Sequence, residues 1–293
     1  MSKKLGQHFL KNKSKIKKIV EVLELKKGDV VIEIGAGHGE LTLEIKNQNE
    51  KIKNKLRIIA IEKDKKLADS LQLLADRNFK SQIEIVNGDA LKILPNLISL
   101  YNLKANSYKL VGNIPYYITG RLLRILSESE SKPTIIVLTI QKEVAQRICA
   151  KTPQMNLLAA VTQFWAESKI IDYISKKDFK PAPKVDSAII KLTANNLQPT
   201  TKDAEKYYKF VKVLFKQPRK TIANNLLPTI LTSTSRDSNP DVSVGKPIER
   251  RLRSVGAYNR QPLIEKLKSA GVDPQGRPQN LSLEQIKHLS TLF

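Results

Sequence analysis

The chain has 293 residues, 41% of them hydrophobic and 27% charged, which is enough apolar material for one large domain or two ordinary ones. Lys and Arg number 51 against 28 Asp and Glu, and the net charge of +23 suits a partner rich in phosphates. Every apolar run falls short of the roughly 20 residues that span a bilayer, one Cys excludes an internal disulfide, and three dispersed His residues write no metal-ligand cluster. Residues 1–27 carry nine Lys against two Glu, a basic arm expected to pack on the domain that follows. Its start lacks the long apolar core of a signal peptide, so a cytoplasmic protein is expected.

From residue 28 to 196 short apolar runs alternate with helical patterns. Strands are expected at Val30–Ile34, Ile58–Ile61, Ile83–Val86, Leu110–Gly112 and Thr134–Leu138. Helices are expected at Leu41–Gln48, Leu67–Phe79, Gly120–Ser127 and Gln141–Ala150. This order predicts a parallel sheet covered by helices on both faces. Ile170–Ile174 and Ala188–Thr193 leave no room for a helix between them and should pair antiparallel at a sheet edge. Residues 197–293 read as a small all-helical domain with helices at Ala204–Lys216, Arg260–Ala270 closed by Gly271, and Leu283–Leu292 opened by a Ser282/Gln285 capping box. The polar stretch within 229–259 reads as a mobile insertion.

Ligands of an open parallel sheet bind beyond the carboxyl ends of its strands, where four loops converge. Gly35, Gly37 and Gly39 after the first strand let the backbone pass close under a ligand, but their spacing is not the dinucleotide fingerprint. Glu62 ends the second strand, where a carboxylate can accept both ribose hydroxyls. Asp89 and Ala90 follow the third, where the Asp can accept an adenine amino proton. Glycines and two acids so placed predict a nucleoside-containing cofactor without a pyrophosphate, and S-adenosyl-L-methionine suits them best. The fourth loop is Asn113-Ile114-Pro115-Tyr116. An adenine amino nitrogen is a poor nucleophile because its lone pair is delocalised into the ring. Acceptance of its two N–H groups by the Asn113 oxygen and the Ile114 carbonyl would draw it toward tetrahedral geometry. Pro115 would fix the bend and Tyr116 offer a ring to the base. Phe179, in a Pro-rich segment, is the expected second ring, with a core role as the alternative. Cys149 reads as a core thiol.

Gln7-His8-Phe9-Leu10, Glu33 to Gly37, Asn113 to Tyr116, Gln141 to Val144 and Phe179 to Ser187 occur in that order across nearly the whole chain. Together they resemble the KsgA-type (RsmA) ribosomal RNA adenine dimethyltransferases. The resemblance implies an α/β, Rossmann-like class I S-adenosylmethionine-dependent methyltransferase domain with a small C-terminal helical rRNA-binding domain. It implies dimethylation of two adjacent adenines near the 3′ end of small-subunit rRNA during subunit maturation; separately, a monomer is expected. It implies that His8, Leu10, Gly35, Gly37, Glu62, Asp89, Ala90 and Asn113 contact the cofactor, and that Asn113 to Tyr116 with Phe179 hold the base. The basic arm and Phe215 to Ile222 would meet rRNA phosphates. The chain departs from that pattern at Met155 to Ala159, at Pro218 to Ala223 and in the insertion, departures that bear on docking more than on catalysis. Two alternatives stand beside this reading: a macrolide-resistance type methyltransferase of large-subunit rRNA, and an assembly or transcription factor without turnover.

Overall fold

The computed structural model describes residues 6–51, 56–78, 83–105, 107–195, 200–234 and 260–293. The first five residues of the basic arm, Phe79, the 196–199 boundary and residues 235–259 of the expected insertion lie outside these. Two compact units emerge: residues 1–149 with 165–201, and residues 150–164 with 202–293. Residues 150–164, expected in the sheet domain, therefore pack with the helical unit.

The first unit is built on seven strands: β2 (Val30–Ile34), β3 (Arg57–Glu62), β4 (Ile83–Asn87), β5 (Tyr108–Asn113), β6 (Ile135–Gln141), β7 (Ala166–Ile174) and β9 (Ser187–Ala194), in the order β4-β3-β2-β5-β6-β9-β7. The five from β4 to β6 run parallel, and β9 lies antiparallel to both β6 and β7, as the Pro-rich connection required. Val31, Ile32 and Ile34 of β2 and Ile58, Ile59 and Ile61 of β3 are all buried, so side chains on both faces of the sheet are covered. Strand order reverses between β2 and β5, and the site forms beyond their carboxyl ends.

Helices α1 (Lys13–Val22), α2 (Glu40–Lys51), α3 (Lys65–Asn78), α4 (Ala90–Leu100), α5 (Thr119–Glu128) and α6 (Lys142–Ile148) belong to this unit. Two of them are additions to the expected order. In α1 the buried Ile16, Ile19 and Val20 recur at helical spacing between lysines, and Asn12 caps the first turn by accepting from the Ser14 and Lys15 amides. Helix α4 carries Pro95 in its interior, a residue that ordinarily argues against a helix, yet Leu94, Leu97 and Ile98 bury its inner face. Cys149 caps the end of α6 and is half-buried.

A two-stranded ribbon completes the unit: β1 (Phe9–Leu10) pairs antiparallel with β8 (Phe179–Lys180), Phe9 opposite Lys180 and Leu10 opposite Phe179. The Lys11 amide donates to the Asp178 carbonyl at 2.8 Å, and Asn12 Nδ2 donates to Asp178 Oδ1 at 3.0 Å. The N-terminal segment is thereby strapped to the Pro-rich segment.

The second unit holds α7 (Leu157–Gln163), α8 (Thr201–Leu214, from Lys202), α9 (Ile222–Thr234), α10 (Arg260–Ser269) and α11 (Leu283–Leu292) around a core that includes Tyr207, Phe210, Leu214, Ile222, Leu226, Leu263, Ile286 and Leu289. Gly271, at φ +69°, ends α10, with the Val272 amide reaching the Leu267 carbonyl at 3.0 Å. The Ser282/Gln285 capping box opens α11. The exposed turn carrying Lys216, Arg219 and Lys220 is held by the buried Asn225 side chain, which accepts from the Gln217 amide at 3.0 Å and donates to its carbonyl at 3.1 Å. Among the described residues no helix is long and apolar enough to cross a membrane.

Candidate functional site

A cavity of about 390 Å³ opens beyond β2, β3, β4 and β5 of the first unit. His8, Gly35, Gly37, Glu62, Asp89, Ala90, Asn113, Ile114, Pro115 and Tyr116 all line it. Gly35 and Gly37 hold φ of +74° and +59°, a backbone that residues with a Cβ rarely adopt, and the Gly35 amide is fixed on the Ile61 carbonyl at 2.8 Å. Close approach explains a third glycine: a Cβ on Gly112 would lie 2.6 Å from the Ile34 carbonyl oxygen, so only glycine lets β5 bring Asn113 beside the β2 loop.

Glu62 is 3% exposed. Its Oε2 accepts from the Gly37 amide at 2.9 Å and its Oε1 from the Asp64 amide at 2.8 Å. The carboxylate thus joins the loops after β2 and β3, with lone pairs left for ligand hydroxyls. Asp89 caps α4 by accepting from the Leu91 amide at 3.0 Å, and its other oxygen meets Lys63 Nζ at 2.9 Å. The Lys63 ammonium holds the Asp89 carboxyl below the usual carboxylate range, against the opposing effect of burial.

The Asn113 amide is oriented by a contact that sequence could not reveal. Its Nδ2 donates to the His8 backbone carbonyl at 2.8 Å. A carbonyl only accepts, so the amide cannot flip, and Oδ1 takes no hydrogen bond from any described residue. The β1–β8 ribbon delivers that carbonyl, and His8 Nδ1 meets the Pro181 carbonyl at 2.8 Å, which places the Nδ1 proton there. The His8 ring lies 5.9 Å from Tyr116 at 26°. Tyr116 is pinned at its other end, its hydroxyl 2.7 Å from Ser187 Oγ, and burial pushes its phenol up from the ordinary tyrosine value.

Two expected site residues do not line this cavity, although Leu10 lines a small second pocket with Gly35, Gly37 and Asn113. Leu10 and Phe179, directly opposite in the β1–β8 ribbon, are each 5% exposed and pack together into the core that includes Ile16, Ile19 and Val137. Directly opposed residues share a face of a ribbon, and the face they share is the inner one. Neither lines the cavity. Conversely, Lys63, Tyr117 and Arg121 do line it and were not singled out by sequence. Among the described residues no group of His, Cys, Asp or Glu is arranged to hold a metal.

Glu33, behind the glycine turn, is 1% exposed and its carboxyl is pushed up to about 7, chiefly by burial, although the Thr42 hydroxyl donates to it at 2.6 Å. A carboxyl raised in the folded state stabilises fully below its unfolded value, and that contribution is lost as pH rises through about 7. Glu33→Gln keeps the Thr42 bond and removes the titration. Unfolding temperatures measured at pH 5 and pH 8 should therefore fall less with pH in the variant, the parent losing up to about 3 kcal/mol. Equal pH dependence in both would refute the assignment.

The family model described as ribosomal RNA adenine dimethylase matches residues 1–253. A protein of Mycoplasma capricolum named ribosomal RNA small subunit methyltransferase A is 39% identical over 98% of this chain and 96% of its own. Its namesake in Dehalococcoides mccartyi is 33% identical over 98% of this chain and 86% of its own. A crystal structure of a Plasmodium falciparum dimethyladenosine transferase superposes with a TM-score of 0.73 at 22% identity, covering 97% of this chain and 96% of that one, and so shares the fold. With a family model spanning most of its length and relatives above 30% identity over nearly all of it, the chain belongs to the ribosomal RNA adenine dimethylase family.

Proposed function

We propose that this protein dimethylates the N6 amino groups of two adjacent adenosines near the 3′ end of small-subunit rRNA, acting as a monomer on the immature subunit in the cytoplasm. The observation that carries this reading is the fixed Asn113 amide, whose Nδ2 is held by the His8 carbonyl so that Oδ1 remains to accept from a substrate amine.

The residues present fit the family's cofactor, S-adenosyl-L-methionine. Gly35 and Gly37 leave their backbone open to a ligand, and two carboxylates stand at neighbouring strand ends of a cavity within the usual range for a small-molecule site. Glu62 would hold the ribose hydroxyls and Asp89 the adenine amine, with Ala90 and His8 completing the walls. When bound, the cofactor supplies an electrophilic methyl group.

The remaining work falls to Asn113 through Tyr116. Asn113 Oδ1 and the Ile114 carbonyl accept the two amine hydrogens, which localises the nitrogen lone pair and stabilises the positive charge that develops there. An amide is too weak a base to take the proton, so Asn113 positions and stabilises, and the proton of the methylated nitrogen passes to solvent after the transfer. Tyr116 offers a ring held at two points, and Pro115 fixes the approach. In the helical unit, the exposed Lys216, Arg219 and Lys220 are suited to rRNA phosphates.

Mass spectrometry and primer extension on both rRNAs, with and without the gene, test the reading. Loss of dimethyladenosine from small-subunit rRNA is expected; loss from large-subunit rRNA alone would overturn it in favour of a resistance-type enzyme, and no loss in favour of an assembly factor.

A further inference from the structure

We propose that Tyr117 and Arg121 form a second nucleotide contact at the cavity mouth, holding the base and phosphate next to the adenosine being methylated. This rests on the reading above, that the cavity receives an RNA adenosine. Tyr117 is 63% exposed and lines the cavity. Its neighbour Tyr116 is tied to Ser187 and set against His8, whereas the Tyr117 ring has only Cδ1 and Cε1 of one edge 3.8 Å from where a side chain on Gly6 would begin. An apolar ring held in water contributes little to folding; on the rim of a substrate cavity it offers a free π-face.

Arg121 supplies the independent observation. It lies four residues after Tyr117, in the first turn of α5, is exposed, and lines the same cavity. It has no ion pair or side-chain hydrogen bond with any described residue. Tyr117 stands on the 3₁₀ turn Tyr116–Ile118 that leads directly into α5, so the two side chains reach the cavity from consecutive turns of the chain. A flat ring and a guanidinium unpaired among the described residues, both on the cavity rim, are the pair of groups a nucleotide offers partners for, the ring to the base and the guanidinium to the phosphate. Stacking is indifferent to base edges, so the contact survives methylation of the N6 position. That suits a substrate with two neighbouring targets, where one must be held while the other reacts. The burial of Phe179 sharpens the case, because the ring expected to complete the aromatic site lies in the core.

The probe is an RNA hairpin carrying the two adjacent adenosines, with 2-aminopurine replacing the one that flanks the target, titrated over a range of salt. Tyr117→Ala should raise Kd at least about fivefold, the effect of one lost base stack. It should also abolish 2-aminopurine quenching and leave the salt slope unchanged, while Tyr117→Phe restores both affinity and quenching. Arg121→Gln should reduce the logarithmic salt slope by about 0.7, the signature of one single-strand phosphate. Parental affinity, quenching and slope in these variants would overturn the proposal. A parent protein that neither binds nor methylates the rRNA would overturn the underlying reading and this one with it.

Discussion

Asn113→Ala is expected to lower single-turnover methyl transfer by at least about 10²- to 10³-fold, the usual consequence of removing one fixed dipole aimed at developing charge. Binding should change far less. The side chain leaves two relationships behind: the amine loses its acceptor, and the His8 carbonyl loses the Nδ2 donor 2.8 Å away. The first loss appears in the chemical step, where the lone pair is no longer localised. The second loosens the end of the β1–β8 ribbon without opening it, because the Lys11 amide still reaches the Asp178 carbonyl. Asn113→Asp separates these effects. A carboxylate offers oxygen on both sides, so one oxygen would face the His8 carbonyl with no proton between them. The aspartate variant should therefore lose stability as well as turnover, while the alanine variant loses mainly turnover. Transfer within tenfold of the parent in the alanine variant, with RNA and cofactor affinity retained, would remove Asn113 from the chemistry.

Parallel strands buried on both faces leave a near-continuous apolar run, which is why β2, β3 and β6 are legible in the sequence and why the loops at their carboxyl ends can be placed from it. Helix caps were equally plain, because Gly271 and Ser282/Gln285 act through local backbone geometry. What sequence obscured was non-local or masked by a local rule. Helix α1 has the apolar spacing of a helix but sits among lysines that drew attention to charge. Helix α4 survives Pro95 because tertiary burial outweighs one missing hydrogen bond. The β1–β8 ribbon is two residues long on each side and joins opposite ends of the catalytic unit, so no window of sequence contains it. Three consequences follow from that ribbon alone: the Asn113 orientation, the burial of Leu10, and the burial of Phe179. The cavity-lining residues supplied by strand-end loops were thus readable, and the inward facing of Leu10 and Phe179 was not.

Glu62→Ala should raise the cofactor Kd by about a hundredfold in calorimetry, the scale of two lost charge-assisted hydrogen bonds. RNA affinity should stay near the parent value. The structure adds a cost that a purely ligand-facing acid would not carry. Glu62 already accepts from the Gly37 and Asp64 amides, so alanine strands two backbone donors, one of them buried, at about 1–3 kcal/mol for a buried one. Glu62→Gln relieves only half of this, since its amide NH2 must face one of the two backbone N–H groups. Both variants should therefore lower the unfolding temperature in parallel with cofactor affinity. Asp89→Asn provides the contrast. Asn caps a helix as well as Asp does, so the Leu91 contact persists, and the Lys63 pair that it loses is largely exposed and adds little to stability. Its cofactor affinity should fall by a smaller factor with almost no change in unfolding temperature. Cofactor affinity untouched by Glu62→Ala would mean that this carboxylate only shapes the loops, and the ribose would need another partner. Stability untouched, with affinity lost, would mean that the two amides find water as readily as they find Glu62.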